Sequence, residues 1–276
     1  MKKLSWPAPA KINLFLHIIG QRADGYHELQ TVFQFLNYCD ELHFTVRNDD
    51  QLHVHSTIPE LAEDGNLILR AAQLLQKTCR TNLGIDVILH KRIPIGGGLG
   101  GGSSNAATTL LALNQLWQLQ LTKQDLLGLG LQLGADVPIF IEGKACWGEG
   151  IGEKLTPINL PQPWYVVVIP PHPVSTAKIF SDPELTRNTP TITIQQFLDG
   201  QVGSHNDCEA IVRKHYPLIG TALDWLGQYA PARLTGTGGC VFAAVANAEQ
   251  ANALVAKVPA PFKAFAAEGL NHSPLS

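Results

Sequence analysis

Apolar side chains alternate with others along residues 10–20, where Ile12, Leu14, Leu16 and Ile18 share one side. Period-two spacing predicts a strand with one buried face. Asp24-Gly25 then breaks the pattern with a turn signal, and a second strand is expected through 29–36, followed by a hairpin around 42–46 and 52–56. Leu67, Ala71, Leu74 and Leu75 stand at helical spacing after an Asp64-Gly65-Asn66 start, which predicts a helix over 67–79. A strand over 85–93 ends at Pro94. Further on, Ala107, Leu110, Leu111 and Trp117 mark one face of a helix over about 103–119, and another helix is expected over 123–133. The proline-rich, polar stretch TPINLPQP at 156–163 is the expected boundary between two domains, 1–158 and 159–276. Beyond it the pattern predicts strands at 164–169, 240–245 and 262–265, a short helix at 175–180, and helices at 208–215, 218–229 and 248–258.

Composition supports two cores. The chain has 276 residues, 45% of them hydrophobic, which is enough for roughly two domains and too much for intrinsic disorder. Its 20 Lys+Arg against 23 Asp+Glu give a formal net charge of -3, without the clustered basic excess that holds nucleic acid. Lys91-Arg92 is the nearest approach to a basic patch. Five cysteines, Cys39, Cys79, Cys146, Cys208 and Cys240, are scattered and form no C-x-x-C pair. That usage fits reduced thiols in the cytoplasm better than a disulfide framework or a zinc site. Met1-Lys2-Lys3 and Ala8-Pro9-Ala10 imitate the two ends of a signal peptide, but Leu4-Ser5-Trp6-Pro7 between them is too short for its apolar region. No apolar run reaches the ~18 residues of a membrane span.

One segment changes the picture. Pro94, Ile95, Gly96, Gly97, Gly98, Leu99, Gly100, Gly101, Gly102, Ser103, Ser104 and Asn105 lie between a predicted strand and a predicted helix. Glycines let backbone N–H groups approach a ligand, and the helix that follows offers unpaired N–H groups and a positive dipole end, which suits a phosphate chain. Ser103, Ser104 and Asn105 are residues that cap such a helix or donate to phosphate oxygens. A flexible linker does not belong between a strand and an amphipathic helix. Gly96, Gly98 and Gly101 meet the dinucleotide pattern G-x-G-x-x-G only because the run is so rich in glycine, and no lysine follows to make a Walker A loop. Two other segments share the logic. Gly134-Ala135-Asp136-Val137-Pro138 sets one carboxylate in an apolar stretch, with Pro138 expected to stop the preceding helix; alone it reads as a turn or cap. Thr235-Gly236-Thr237-Gly238-Gly239 fits a second anion cradle and a tight turn equally well.

In this order, PAKINL at 9–14, the segment 94–105 and the segment 234–239 resemble the three motifs of the GHMP kinase superfamily, the small-molecule kinases related to galactokinase, homoserine kinase and mevalonate kinase. PAKINLFLHIIGQRADGYHELQT at 9–31, IPIGGGLGGGSSNAA at 93–107, LGADVPIF at 133–140, SHNDCE at 204–209 and RLTGTGGCVF at 233–242 are similar to the branch whose acceptor is 4-diphosphocytidyl-2-C-methyl-D-erythritol. The likeness runs from Pro9 to about Pro274. It implies an ATP-dependent kinase of the non-mevalonate isoprenoid pathway that phosphorylates the 2-hydroxyl of this cytidine diphosphate-linked methylerythritol. The implied fold is α+β in two domains, an N-terminal nucleotide-binding domain of the ribosomal-protein-S5-like type and a ferredoxin-like C-terminal domain, with the site between them.

The resemblance also implies roles. Asp136 falls at the position of the base and Lys11 at that of its partner, a pairing in which an ammonium keeps a carboxylate ionised and stabilises developing charge. Tyr26 and Phe180 fall at the positions that stack on cytosine, and His27 where the base edge is read. Asn13 is placed near the acceptor hydroxyl or the erythritol, Asn66 near the ATP base or ribose, and Thr237 and Gly238 at the substrate. Read singly, these residues would pass for a strand-end lysine, core aromatics, a loop histidine and cap asparagines. Asp207 fits the family pattern too, although as a helix-start residue it reads first as structural. His53-x-His55 reads as a surface pair, having no third metal ligand nearby. Magnesium is expected with ATP, held largely by phosphates and water, with Ser103 or Ser104 as the protein candidates. Small molecules are the expected partners, with no nucleic acid and no membrane, for a monomer or weak homodimer. Two alternatives stand: a GHMP kinase for homoserine or mevalonate, which the Tyr26-His27 pair with Phe180 disfavours, and a non-catalytic sensor, which would have lost Lys11 or Asp136.

Overall fold

The computed structural model describes residues 5–56, 58, 65–200 and 205–275. Met1, Lys2, Lys3, Leu4, Asp64 and Ser204, which the sequence reading used, lie outside the described residues. Strands β1 (Ser5–Gln21) and β2 (His27–Arg47) pair antiparallel around the turn at Asp24, whose carboxylate accepts the Tyr26 N–H at 3.1 Å. The single buried face expected for β1 is corrected. Ile12, Leu16 and Ile18 are buried, and so are Lys11, Asn13, Phe15 and His17 on the other side. Leu16 and Ile18 enter an apolar cluster of the C-terminal half, while Phe15 packs on Trp147 and Phe197.

The expected break in β2 is also absent. Its length allows it to pair with β1 on one edge, and on the other with β4 (Gly84–His90) and β5 (Cys146–Gly150) at different heights. Strand β3 (Leu52–Ser56) makes no hairpin with β2; it lies parallel to β4, reached through helix α1 (Leu67–Cys79). Helix α2 (Gly101–Leu116) begins inside the glycine run, and α3 (Lys123–Leu133) opens on a capping box of Thr122 and Asp125 and closes at Gly134. Pro138 stops nothing. It opens α4 (Val137–Glu142), because its fixed φ and missing N–H suit a first helical turn.

After β6 (Lys154–Pro157), which pairs with β5, the chain forms β7 (Trp164–Ile169), α5 (Thr176–Phe180) and α6 (Ile194–Leu198). Helix α6, capped by Thr193 and Gln196, is too short to show a period in the sequence. Helices α7 (Glu209–His215) and α8 (Pro217–Gly227), strands β8 (Ala232–Leu234) and β9 (Val241–Val245), helix α9 (Ala248–Val255) and strand β10 (Lys263–Leu270) complete the chain. Strand β10 runs antiparallel to β7, and its end, at Gly269 and Leu270, pairs with Leu36 and Phe35 of β2. The sheet therefore passes without a gap through the order β3-β4-β2-β10-β7-β9-β8, and the fold is α+β. One apolar cluster lies under α1 to α4 and another under α5, α7, α8 and α9. A third, with Ile12, Ile93, Leu99, Cys240 and Phe242, sits where the glycine run meets the C-terminal strands.

Candidate active site

Two glycine segments interlock. Gly98 has φ +75, and a Cβ there would stand 2.3 Å from the Thr235 carbonyl oxygen; Gly239 has φ +107, and its Cβ would stand 2.1 Å from the Gly96 carbonyl oxygen. Only glycine permits this approach in this conformation. Thr235 binds the pair together, accepting the Asn13 N–H at 3.0 Å and donating to the Gly98 carbonyl at 3.3 Å. Asn206 donates to the carbonyls of Leu234 at 3.0 Å and Gly236 at 2.7 Å. On the other side, buried Asp40 accepts the N–H groups of Arg92 at 2.7 Å and Ile93 at 2.8 Å, and pairs with Lys91. Burial draws the Lys91 ammonium below its ordinary pKa, and Asp40 opposes the shift.

The residue before α2 is Gly100, at φ 71, with no side-chain cap. Ser103, Ser104 and Asn105 thus lie within the first helical turns, which corrects the expectation that they cap the helix. The first-turn N–H groups are left for a ligand. A cavity of about 580 Å³ opens here, lined by Asn66, Pro94, Ile95, Gly96, Gly97, Gly98, Leu99, Gly100, Gly101, Gly102 and Ser103. Asn66 also serves as the α1 cap, accepting the Ile68 N–H at 2.8 Å. Ser104 lines none of it; its hydroxyl is buried without a partner.

A second cavity, of about 310 Å³, shares Gly98, Gly100 and Ser103 with the first. Lys11 and Asp136 stand side by side in its wall. Strand alternation puts Lys11 and Asn13 on one face of β1, and Asp136 stands just before α4, its carboxylate unused as a cap. Lys11 Nζ lies 3.1 Å from Asp136 Oδ2 and donates to Asn13 Oδ1 at 2.6 Å, while Asn13 Nδ2 donates to Thr31 at 2.9 Å. The ammonium also sits 5.5 Å from the centre of the Phe33 ring. Lys11 is almost wholly buried, whereas the Asp136 side chain keeps 38% of its surface open. An accessible carboxylate can take a proton from a bound hydroxyl, and a buried cation beside it keeps that carboxylate ionised beforehand and stabilises the negative charge that develops.

Leu29, Ala135, Ile151, Thr176 and Phe180 line both this cavity and a third one of about 470 Å³. Tyr26 and His27 join the third. Tyr26 is 59% exposed, while His27 is buried and stacks on Phe180, with ring centres 4.8 Å apart and planes 22° from parallel. Thr237 lines the second cavity and shares a 2.8 Å hydrogen bond with Thr176; Gly238 lies in the adjoining turn and lines none of the three. Arg187, unremarked in the sequence, donates from Nε to His27 Nε2 at 3.0 Å. Desolvation, and then the neighbouring guanidinium, hold the His27 pKa below its ordinary value.

Other candidates fall outside. Asp207 accepts the Ile18 N–H at 2.6 Å and the Thr189 hydroxyl at 2.7 Å, so it ties β1 to the C-terminal half. His53 bonds Asp86 at 2.9 Å, and Asp86 pairs with Arg47 as well. Among the described residues no group of three or more His, Cys, Asp or Glu is placed to hold a metal ion. None of the described helices is long and apolar enough to cross a membrane.

The family model for the GHMP kinases N terminal domain matches residues 66–144, and that for the GHMP kinases C terminal domain matches residues 194–264. A 4-diphosphocytidyl-2-C-methyl-D-erythritol kinase of Pseudomonas paraeruginosa is 54% identical over 273 residues, spanning 99% of this chain and 96% of its own. The crystal structure of a 4-(cytidine 5'-diphospho)-2C-methyl-D-erythritol kinase superposes with a TM-score of 0.82 at 32% identity, over 96% of this chain and 99% of that one. A mevalonate kinase structure has a TM-score of 0.69 at 15% identity, over 98% of this chain and all of its own length (100%), and shares the fold.

Proposed function

The chain belongs to the 4-diphosphocytidyl-2-C-methyl-D-erythritol kinase family of GHMP kinases, and from that premise we propose how its residues perform the reaction. The enzyme transfers the γ-phosphoryl group of ATP to the 2-hydroxyl of 4-diphosphocytidyl-2-C-methyl-D-erythritol, giving the 2-phosphate, a step of the non-mevalonate route to isoprenoid precursors. One observation carries the residue assignments: three confluent cavities, with Lys11 and Asp136 at the middle one. ATP occupies the first, with its phosphates on residues 96–103 and its base toward Asn66. The cytidine lies in the third, among Tyr26, His27 and Phe180, and the erythritol reaches inward past Asn13 and Thr237.

Asp136 takes the proton of the acceptor hydroxyl. The oxygen so freed forms its bond to the γ-phosphorus as the bond from that phosphorus to the β,γ-bridging oxygen breaks, and ADP leaves. Lys11, fixed by Asn13, keeps Asp136 ionised and faces the transferring oxygens, while backbone N–H groups at the start of α2 take up phosphate charge. Magnesium would neutralise the β- and γ-phosphates. Ser103, which lines both the first and second cavities, fits as its protein contact, and the enclosed Ser104 does not. The division into domains 1–158 and 159–276 follows the two main apolar clusters, one drawn mostly from the first span and one mostly from the second, with Leu16 and Ile18 of β1 crossing into the second. The five cysteines, none in a disulfide, support a cytoplasmic location. Small molecules are the partners, and a monomer or weak homodimer suffices because the site is built within one chain.

Purified enzyme should phosphorylate the cytidine substrate in preference to homoserine or mevalonate, as read by ADP release and by 31P spectra of the product. Preference for either small alcohol would overturn the substrate, and binding without turnover would point to a sensor. Lys11→Ala should lower turnover strongly; an effect confined to KM would assign Lys11 to binding alone.

A further inference from the structure

The contact between Arg187 and His27 has a chemical consequence for pyrimidine binding. A guanidinium has N–H donors and no acceptor, and it stays protonated in proteins. Its Nε–H points at His27 Nε2 at 3.0 Å, so that nitrogen must present a lone pair. The imidazole proton then resides on Nδ1. Arg187 cannot turn away easily, since its other nitrogens donate to the carbonyls of Leu185 at 3.0 Å, Phe180 at 3.0 Å and Asp182 at 2.8 Å. These bonds also tie it to the segment that carries Phe180, which stacks on the same imidazole. Among the described residues, Arg187 is the one charge that acts on the ring. Asp182 is engaged by His215 at 2.6 Å, Arg22 pairs with Asp24 at 3.1 Å, and Glu28 points by strand alternation to the opposite face of β2.

We propose that Arg187 is the positioning residue for pyrimidine recognition: it fixes His27 as the neutral Nδ1–H tautomer, so that the ring offers a donor to the acceptor edge of cytosine, O2 or N3. This rests on the reading of the third cavity as the cytidine site. The lowering of the His27 pKa by burial and then by the guanidinium agrees with it, since both favour the neutral ring.

The test uses binding of the substrate, whose two phosphodiester charges do not titrate between pH 6 and pH 8, together with 15N spectra of the histidine rings. In the unaltered enzyme the His27 proton should be found on Nδ1 and affinity should be level across this range. Arg187→Met releases the ring to carry its proton on Nε2, and at pH 8 affinity should fall by about five- to tenfold, the scale of one hydrogen bond. Lowering the pH through the ordinary histidine value of about 6.5 protonates both nitrogens, restores the Nδ1–H donor, and should recover most of the loss. A loss of equal size at both pH values would reduce Arg187 to a brace for the loop, and a proton on Nε2 in the unaltered enzyme would overturn the proposal even if the variant does not fold. If instead the unaltered enzyme shows the Nδ1–H form but binds no cytidine ligand, the site reading fails and the tautomer assignment stands.

Discussion

The two ends of the site are made of different material. At the end proposed for the nucleotide the lining is largely backbone: glycines packed against glycines, so close that a Cβ on Gly98 or Gly239 would stand 2.3 or 2.1 Å from a facing carbonyl oxygen. At the end proposed for the pyrimidine it is side chain: Tyr26, His27 and Phe180, the last two stacked and braced by Arg187. A phosphate chain asks only for N–H groups and positive potential, which any backbone supplies if nothing blocks the approach. A base has two π-faces and a directional edge, so it needs particular rings and a particular proton. Adding atoms should therefore be costly at the first end, and removing them costly at the second.

The largest effect lies between the ends and tests whether they act independently. Asp136→Ala should lower kcat by about 10²–10⁴-fold, the range of a general base, with the dissociation constants of ATP and of the cytidine substrate changed by less than about threefold. Retained turnover would remove Asp136 from the role of base. Next comes the nucleotide end. Gly98→Ala adds one methyl group, yet it forces an L-residue into a left-handed backbone, costing about 1–2 kcal/mol before any clash with the Thr235 carbonyl 2.3 Å away is counted. The melting temperature should fall by at least about 2 °C, and ATP binding should weaken; unchanged values would show that the two glycine segments can part. Phe180→Ala should leave ATP binding intact and raise KM for the cytidine substrate by roughly tenfold or more, given about 1–3 kcal/mol for stacking on a base. If KM for ATP rose equally, the two ends would not be separable.

This difference in material also explains what could be read from the chain alone. A backbone-built site leaves its signature in consecutive residues, so the run at 94–105 is legible in the sequence as a glycine lining between strand and helix, the one proposed to cradle phosphates. The start of that helix was misplaced because Ser103 and Ser104 are good capping residues, while the true cap is a left-handed Gly100. A side-chain site draws on distant segments. Tyr26 and Phe180 reach one cavity from the β1–β2 turn and α5, and Arg187, in the loop after α5, holds the His27 that lines it; periodicity cannot join them. The family likeness supplied the first two positions, but Arg187 carried no signal, since one arginine in a polar loop looks like any other. The sequence pattern breaks β2 in two for a related reason: residues 37–41 lack an apolar period, with Asp40 buried among them, although the strand continues because β1 pairs with Cys39, Asp40 and Glu41 and β4 joins at Glu41. Likewise β3 was assigned to a hairpin by nearness in sequence, whereas its partner is β4, beyond a helix.

The smallest expected effect is the most informative about the nucleotide end. Ser103 is the side chain there that reaches both the nucleotide cavity and the cavity of Lys11 and Asp136. If backbone N–H groups hold the phosphates, Ser103→Ala removes one neutral hydrogen bond, and KM for ATP should rise only about two- to fivefold. Stability should hold or improve slightly, because alanine is the better helix former within α2. A serine that contacts the metal would behave otherwise. Its loss would spare ATP affinity measured without magnesium and lower kcat at limiting magnesium, with partial rescue as magnesium is raised. Titrating magnesium in the variant therefore decides whether this end of the site is backbone alone or backbone with one essential hydroxyl, and a magnesium-rescued loss of a hundredfold or more in kcat would break the contrast between the two ends.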